Sequence, residues 1–436
     1  MKFVNVLFVV LLYCTHLSAQ VTLPNNLYFT HIGVEDGLCQ NTVCCILQDH
    51  LGFIWLGTKD GLTRYDGYRF RVFKHDAADP MSIGNNFIRV LYEDADGLIW
   101  IGTNVGVYIY NPETENFRKF DVATERGDVI SREVSSIKCD SSGDLWIGVN
   151  WQGVFRYDRR DESLELYEPV PGDTTSLSSV HVWDLCFDGD GNLWVGSQNG
   201  GLDRYDRETD RFVRHRLKGL SDVSRIVLDK QNQLLLGTMK DGLFSFNPYM
   251  GTCQPLLLDS GHKDLFVRAI FVRNSREVVV GTENGIYIYD CVTRKTRHVN
   301  QELGNPYSLS CKAVYSIYCD KEGALWIGTY FGGVNYLPPS SSLIFDKFYP
   351  IGHSDRLSGK AVREFVRDES GIIWIGTEDQ GLNRFDPVSG KFTHYNSRNS
   401  GLSCDNVHGL CVDGDRLYIG TFFGGFNIGM FYKLTC

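Results

Sequence analysis

The chain has 436 residues, more than one ordinary hydrophobic core accommodates, so it contains either several domains or a large repeat architecture. Aromatic residues make up 13% of it, and 45 glycines stand against 12 prolines, a composition typical of many short strands joined by tight turns. The formal net charge of −10 argues against a nucleic-acid partner, which would require a basic surface to neutralise phosphates.

Residues 1–20, MKFVNVLFVVLLYCTHLSAQ, have the pattern of a secretory signal peptide. Lys2 supplies the positive charge, an apolar core follows, and Ala19 is a small residue before a cleavage site. Lipidation at Cys14 is the alternative, disfavoured because the preceding Tyr13 is large. The apolar run is too short to cross a bilayer of about 30 Å, and no later run is long enough. We therefore expect export to the periplasm and no membrane-inserted segment in the mature chain.

One motif then recurs, with the form D-x-x-G-x-[ILF]-W-[ILV]-G-T-x-x-G-[LV]-x-x-[YF]-[DN]. It reads DHLGFIWLGTKDGLTRYD from Asp49 and DADGLIWIGTNVGVYIYN from Asp94. The glycine after its Trp-x pair stands at positions 57, 102, 148, 196, 237, 281, 328, 376 and 420. This spacing is that of one four-stranded propeller blade, about 40 to 50 residues.

Each copy predicts four strands. In the first copy, VCCILQD (43–49) alternates in polarity and ends at the aspartate, and the D-x-x-G segment predicts a hairpin whose glycine adopts positive φ. FIWLGT, GLTRYD and RFRVFKHD supply the next three strands. Because no segment has strong helical periodicity, the predicted fold is all-β.

These motifs resemble the repeat of the two-component regulator propeller family, most closely at Trp55–Asp66, Trp194–Asp206 and Trp374–Asp386. The stretch LYFTHIGVEDGLCQNTV (27–43) is also similar to the family's opening segment. The resemblance covers essentially the whole mature chain. It implies the periplasmic sensor region of a hybrid histidine kinase of polysaccharide-utilising gut bacteria, which senses oligosaccharides. In that family two seven-bladed propellers precede a β-sandwich, a membrane helix, a kinase core and a receiver.

We expect residues 21–350 (repeats 1–7) to form a seven-bladed β-propeller, closed by the strand LYFTHI. Residues 351–436 (repeats 8 and 9) would then begin a second, incomplete propeller. Because the last copy lacks its Y-D end, we interpret the chain as truncated, without kinase, receiver or membrane segments, and expect residues after about 350 to be poorly stable. An open nine-bladed ring is the alternative and exceeds the usual four to eight blades. The resemblance implies a second propeller and a dimer partner in the intact receptor.

A column of candidate ligand contacts lies on the first strand of each copy, just after its leading apolar residue. Strand alternation predicts that this column faces away from the packed apolar side chains, towards the channel. Arginines there would bind a carboxylate or sulfate, and aromatic rings would stack on sugars. The alternative is that channel residues are polar because they contact water. The predicted ligand contacts are Arg89, Trp183, Arg268, Tyr315, Arg363 and His408; the same column also holds Cys44, Ser135 and Ser224.

A second, weaker set of candidates lies in the loops after the second strands: Trp151, Tyr330 and Phe331, with Phe422 and Phe423 in the last copy. Exposed loop aromatics serve recognition in many interfaces. The alternative is packing between neighbouring blades or against a second propeller.

No catalytic residue, metal site or cofactor is predicted. Asp188–Asn192 resembles the start of a calcium loop, but no glycine stands sixth and no glutamate closes twelve residues. A propeller-fold polysaccharide lyase or glycosidase, using Glu364, Asp184 or His408, is the alternative function, although the inner strands carry single carboxylates and not a matched pair. A third alternative, a protein-interaction scaffold, would expose a large apolar face.

Overall fold

The computed structural model describes residues 22–217, 220, 222–257, 265–339, 347–350 and 356–430. The predicted signal peptide lies outside the described residues. Within them the regular structure is β-strand, apart from one 3-10 turn at Val34–Asp36. No helix in this part of the chain is both long enough and apolar enough to span a bilayer.

The described strands form nine sheets, and the first seven, called blades 1 to 7, have four strands each. Blade 1 consists of β2 (Val43–Gln48), β3 (Ile54–Thr58), β4 (Gly61–Tyr65) and β5 (Phe70–Phe73); blade 2 of β6 (Ile88–Glu93), β7 (Ile99–Thr103), β8 (Gly106–Asn111) and β9 (Asn116–Lys119); blade 3 of β10 (Val134–Cys139), β11 (Leu145–Val149), β12 (Gly153–Asp158) and β13 (Ser163–Tyr167). Blade 4 consists of β14 (Val182–Phe187), β15 (Leu193–Ser197), β16 (Gly201–Asp206) and β17 (Arg211–His215); blade 5 of β18 (Arg225–Leu228), β19 (Leu234–Gly237), β20 (Leu243–Asn247) and β21 (Thr252–Leu257). Blade 6 consists of β22 (Val267–Val272), β23 (Glu277–Thr282), β24 (Gly285–Asp290) and β25 (Lys295–Val299); blade 7 of β26 (Val314–Cys319), β27 (Leu325–Thr329), β28 (Val334–Leu337) and the N-terminal β1 (Thr30–Ile32).

The aspartate of the motif closes the hairpin between the first two strands. In blade 1, Asp49 accepts a hydrogen bond from the backbone N–H of Phe53 at 2.9 Å and another from the indole N–H of Trp55 at 2.7 Å. The same pair of contacts recurs in blade 3, where the carboxylate of Asp140 lies 3.1 Å from the indole nitrogen of Trp146. This clasp fixes a bulky ring inside the sheet while satisfying its only polar atom.

The glycine after Trp-x makes room for the neighbouring blade. A Cβ on Gly102 would lie 2.6 Å from Cγ1 of Val134, the leading residue of blade 3. A Cβ on Gly328 of blade 7 would lie 2.8 Å from Cγ1 of Val43 in blade 1. The first strands pack in sequence around the ring, and β26 packs against β2. The seven blades therefore close into a ring, and the predicted propeller fold is confirmed.

The chain divides into two compact units. The first contains residues 22–25, 31–299 and 311–339, and the second contains 26–30, 300–310, 347–350 and 356–430, as far as the structure describes them. The sequence did not indicate that 300–310 belongs to the second unit, and the division at residue 350 stays a prediction.

The second unit contains the remaining two sheets. They repeat the motif, and Gly376 of sheet 8 would meet Val407 of sheet 9 at 2.6 Å if it carried a Cβ. In the described residues sheet 9 has three strands. Sheet 8 consists of β29 (Val362–Arg367), β30 (Ile373–Thr377), β31 (Leu382–Asp386) and β32 (Lys391–Tyr395); sheet 9 of β33 (Val407–Asp413), β34 (Arg416–Thr421) and β35 (Gly425–Met430).

Candidate ligand site in the propeller channel

Residues of the predicted column sit at a β-bulge on the first strand of their blade. β2 pairs Val43 with Thr58 and Cys45 with Gly57, which leaves Cys44 between them without a partner in the ladder. A bulge bends the strand and re-aims a side chain. Simple alternation, the reason given from the sequence, is therefore not what orients these residues. The same irregularity occurs at Arg89, Ser135, Trp183, Arg268 and Tyr315.

These bulges converge on one cavity of about 360 Å³ in the first unit. Because every blade contributes to its wall, the cavity lies in the central channel of the ring. Its volume falls in the range of about 300–1,000 Å³ typical of small-molecule sites. The residues that line it are Cys44, Lys59, Phe87, Arg89, Glu133, Val134, Ser135, Asn150, Val182, Trp183, Arg225, Arg268 and Tyr315.

The structure brings four of the six predicted ligand contacts together in this cavity: Arg89, Trp183, Arg268 and Tyr315. Their role in binding remains a prediction. The other two belong to the second unit and do not line it. Arg363 on β29 is half exposed and pairs with Glu378 at 3.2 Å, and the ring of His408 on β33 stacks on a neighbouring phenylalanine at 4.9 Å.

Two of the cavity arginines are already paired with carboxylates. The guanidinium of Arg89 lies 3.0 Å from Glu133 and also donates to the side-chain oxygen of Asn104 at 2.7 Å. Arg268 pairs with Glu283 at 2.6 Å. Their charge is therefore largely compensated before any ligand arrives.

Arg268 is also held between two aromatic rings. Its guanidinium carbon lies 3.8 Å from the ring centre of Phe266 and 4.7 Å from that of Tyr315. Cation–π contacts of this kind are strongest where water is excluded. Arg268 is thus held at the wall by two aromatic rings and one carboxylate.

Sequence reasoning missed Arg225. The column in blade 5 was assigned to Ser224, which is buried and donates its hydroxyl hydrogen to the carbonyl of Val267 at 2.8 Å. Arg225 lines the cavity instead, and its Nε and Nη1 donate to the carbonyls of Arg268 at 2.7 Å and Ser224 at 2.9 Å. Burial lowers the pKa of the Arg225 guanidinium. Among the described residues, no carboxylate lies within ion-pairing distance of it.

Burial also keeps two acidic groups of the wall neutral. It raises the pKa of the Cys44 thiol to about 11, although the cations of Arg89, Lys59, Arg268 and Arg225 act in the opposite direction. It raises the pKa of the Tyr315 phenol to about 12. At neutral pH Cys44 is therefore a thiol and not a nucleophilic thiolate.

Trp183 is the aromatic wall of blade 4. Its ring centre lies 5.9 Å from that of Phe266. Its indole N–H is buried and has no acceptor among the described residues. A buried donor without a partner carries a desolvation cost, so this side of the cavity has unused hydrogen-bonding capacity.

The loop candidates are neighbours of the column and not a separate region. Tyr330 lies 5.1 Å from Tyr315, fifteen positions earlier in the chain, and Phe331 beside it is 69% exposed. Trp151 is 65% exposed and meets the ring of His181 edge-on at 4.1 Å.

The same separation of fifteen residues connects column residues with loop residues in other blades. It joins Arg89 to Asn104 and Arg268 to Glu283, and it separates Cys44 from Lys59. That constant offset is the sequence signal that could have identified the second layer of the wall.

The described residues contain no cluster of three His, Cys, Asp or Glu side chains suited to a metal ion. In the segment that resembles a calcium loop, the Asp188 carboxylate accepts hydrogen bonds from the indole of Trp194 at 2.8 Å and the backbone of Asn192 at 2.9 Å. It is thus the hairpin clasp of blade 4.

Comparison with known proteins gives a consistent picture. The family model for the two component regulator propeller matches residues 37–60, 82–105, 176–199 and 308–331. The chain is 27% identical to the extracellular domain of the hybrid two component system BT3049 from B. thetaiotaomicron, with a TM-score of 0.76, over 93% of this chain and 53% of that one. It is therefore about half the length of that domain.

Two further proteins are similar to this chain, one over a short segment and the other in its fold. Histidine kinase P4 of Formosa agariphila is 39% identical over 59 residues, 14% of this chain and 4% of the kinase. A streptogramin B lyase is 14% identical with a TM-score of 0.53, over 72% of this chain and 97% of the lyase, which shows a shared fold alone. The repeats and the extended likeness to a sensor domain lead to one conclusion: the chain contains repeats that match the two-component regulator propeller model, in a fold similar to the extracellular domain of a hybrid two component system.

Proposed function

We propose that the chain is the ligand-sensing, extracytoplasmic propeller region of a hybrid two-component receptor, located in the periplasm. In this proposal it recognises oligosaccharides released from polysaccharides and does not cleave them. The observation that carries the proposal is the channel cavity, to which every blade contributes a side chain. The likeness to an extracellular sensor domain supports the location.

The wall of the cavity has the chemistry that saccharides require. Trp183 and Tyr315 bring aromatic rings to the wall for contact with the apolar faces of sugar rings, and Arg268 lies over one face of Tyr315. Asn150 and Ser135 are neutral hydrogen-bonding groups for hydroxyls, and Arg268 offers further donors from a fixed position.

Hydrolysis of a glycosidic bond uses two carboxyl groups about 5–10 Å apart. Among the described residues the lining contains a single carboxylate, Glu133, which is paired with Arg89. Asp184, another candidate from the sequence, accepts hydrogen bonds from the hydroxyl of Ser136 at 2.9 Å and the backbone of Ile226 at 3.0 Å. These contacts favour a structural role for Asp184 and binding without chemistry in the cavity.

In an intact receptor, the ligand would act by favouring one arrangement of this propeller with a second propeller and a dimer partner. Binding can shift such an equilibrium only by its difference in affinity for the two arrangements. The partners are therefore an oligosaccharide and other parts of the same receptor.

The test is calorimetric titration of the full exported chain with neutral and acidic oligosaccharides, followed by chromatography of the saccharide. We expect saturable 1:1 binding of one saccharide class with no cleavage. Arg268→Ala should weaken it at least about tenfold, because charged hydrogen bonds are the stronger contacts. Arg211→Ala, on the exposed outer strand β17, is the matched control and should bind normally.

Cleavage of the saccharide would contradict the proposal and favour a lyase or glycosidase. Binding that is unchanged in Arg268→Ala would move the site out of the channel. An absence of binding across the panel would favour a protein-interaction scaffold.

A further inference from the structure

The channel cavity is basic although the whole chain is acidic. Its wall carries four cationic side chains and one carboxylate, in a protein with a formal net charge of −10. Arg89 and Arg268 are compensated by Glu133 and Glu283. Lys59 and Arg225 are the remaining two, and neither has a carboxylate within ion-pairing distance among the described residues, so the wall keeps a net positive charge.

Arg225 is fixed in place but only partly satisfied. Two of its nitrogens bind backbone carbonyls of blades 5 and 6, which holds the guanidinium rigidly against the cavity. A guanidinium has five N–H donors, and Nη2 makes no hydrogen bond within the described residues. Asp184 is a carboxylate whose charge acts on Arg225, but it is not within ion-pairing distance of the guanidinium among the described residues. An anion that enters the cavity would therefore be the direct ion-pair partner of this cation.

Lys59 is the second unpaired cation. Its ammonium group lies 4.2 Å from the ring centre of Tyr330 and 5.7 Å from that of Phe87. No carboxylate of the described chain is within ion-pairing distance of it. The aromatic contacts leave its three N–H donors available, because a ring face accepts no conventional hydrogen bond.

The four cationic side chains line a single cavity. Arg89, Lys59, Arg268 and Arg225 all contribute to its wall, together with Cys44. On the wall of blade 4, the buried indole N–H of Trp183 is a further donor without an acceptor. The cavity therefore has excess positive charge and excess donors, which is the complement of an oxyanion.

We infer that this cavity binds the carboxylate or sulfate of an acidic saccharide, with Arg225 as the principal cation and Lys59 as the second. The inference rests on the proposed function and narrows it to anionic saccharides. It also changes the assignment made from the sequence: Arg89 and Arg268 orient and enclose the ligand, whereas Arg225 supplies the unpaired charge.

The test uses the full exported chain and calorimetry with four probes. They are a uronate disaccharide, the same disaccharide with its carboxyl reduced to an alcohol, a sulfated disaccharide of the same linkage, and inorganic sulfate. We expect one of the acidic disaccharides to bind at least about tenfold more tightly than the neutral one.

Arg225→Gln should remove that preference, with at least about a tenfold loss for the acidic probe and little change for the neutral one. Arg225→Lys should retain part of it, because the charge remains. Arg211→Gln, an exposed arginine on β17, is the matched control and should keep the full preference. The melting temperature of each variant reports its folding. If Arg225→Gln does not fold, Lys59→Gln tests the inference, because the Lys59 ammonium makes no hydrogen bond to a blade among the described residues.

Equal affinity for the uronate and its neutral counterpart would overturn the inference while supporting saccharide binding. Binding of sulfate that depends on Arg225, with no disaccharide bound, would support the anion site and contradict saccharide sensing. Unchanged acidic binding in both Arg225→Gln and Lys59→Gln would overturn the assignment, and an absence of binding for all four probes would count against both proposals.

Discussion

Blade 3 of the ring and sheet 8 of the second unit carry the same motif but bury it differently. Both close their hairpin with the aspartate clasp, Asp140 to Trp146 at 3.1 Å in one and Asp368 to Trp374 at 2.8 Å in the other. On their first strands, the leading valines are 0% exposed in blade 3 (Val134) and 46% exposed in sheet 8 (Val362).

The contrast continues three residues later on the same strands. Ile137 of blade 3 is 2% exposed, and Phe365 of sheet 8 is 73% exposed. Blade 3 has blades 2 and 4 packed on its two sides, and in the second unit sheet 9 packs beside sheet 8. The motif thus builds the sheet by itself, whereas burial of the first strand depends on the neighbours.

The sharpest test of this comparison removes the matched apolar side chains. Ile137→Ala should lower the free energy of unfolding of the ring by about 2–5 kcal/mol, because it leaves a cavity between packed blades. Phe365→Ala should change the stability of the second unit by no more than about 0.5 kcal/mol, since its ring is already in water. Urea denaturation followed by circular dichroism measures both. Similar losses in the two variants would show that Phe365 is buried in solution.

A second pair of substitutions tests the glycine contacts between blades. Gly102→Ala places a Cβ within 2.6 Å of Val134 and should destabilise the ring by about 1–3 kcal/mol through overpacking. In sheet 9, Gly420→Ala meets nothing closer than 3.8 Å and should stabilise its strand by up to about 1 kcal/mol, because alanine loses less entropy there than glycine. Thermal unfolding distinguishes the two, and a stabilised Gly102→Ala would refute the packing role of this glycine.

The smallest expected effect concerns Asp203 of blade 4 and its counterpart Asn383 of sheet 8. Each accepts a hydrogen bond from a serine N–H twenty-five positions earlier, Ser178 at 2.9 Å and Ser358 at 2.8 Å. Asp203 is fully buried, and burial raises the pKa of its carboxyl to about 6 despite the hydrogen bonds from Ser178. The native fold therefore favours the protonated form of Asp203. The stability that this protonated carboxyl contributes is lost as the pH rises through about 6.

Asp203→Asn should therefore stabilise the ring at pH 8 by about 1–2 kcal/mol, because the neutral amide avoids the free-energy cost of a buried ionised carboxylate. The gain should nearly vanish near pH 4, where the aspartate is protonated. Urea denaturation at the two pH values measures the difference. The reverse change, Asn383→Asp, should destabilise the second unit at pH 8. A gain in Asp203→Asn that is equal at both pH values would exclude ionisation as its cause.

The fold was predictable because its determinants are local. The strand expected at 43–49 is observed as Val43–Gln48, since the aspartate that ends it binds the tryptophan six residues later. The glycine spacing gave the blades, but its physical reason was not visible. Only the structure shows that Gly328 accommodates Val43 from the other end of the ring.

The sequence could indicate which residues reach the channel, but not all of the ion pairs that those residues form. Arg89 and Arg268 could be placed in the channel, and the fifteen-residue offset could have indicated Glu283 as the partner of Arg268. The pairing of Arg89 with Glu133 joins two blades, and nothing in either repeat indicates it. Arg225 was missed because its side chain bonds to a carbonyl of the next blade, which no feature of its own repeat encodes.

The closure of the ring sets an order of assembly. β1 ends at Ile32, and its partner β28 begins at Val334, so the strand at the start of the ring is the last to be paired when blades form in chain order. Blades 1 to 6 need only contiguous residues and can form before the rest of the ring, whereas blade 7 requires contact across nearly the whole ring. Such long-range pairing is slow. Until that pairing forms, the ring carries an open strand edge, and its last folding step joins β1 to β28.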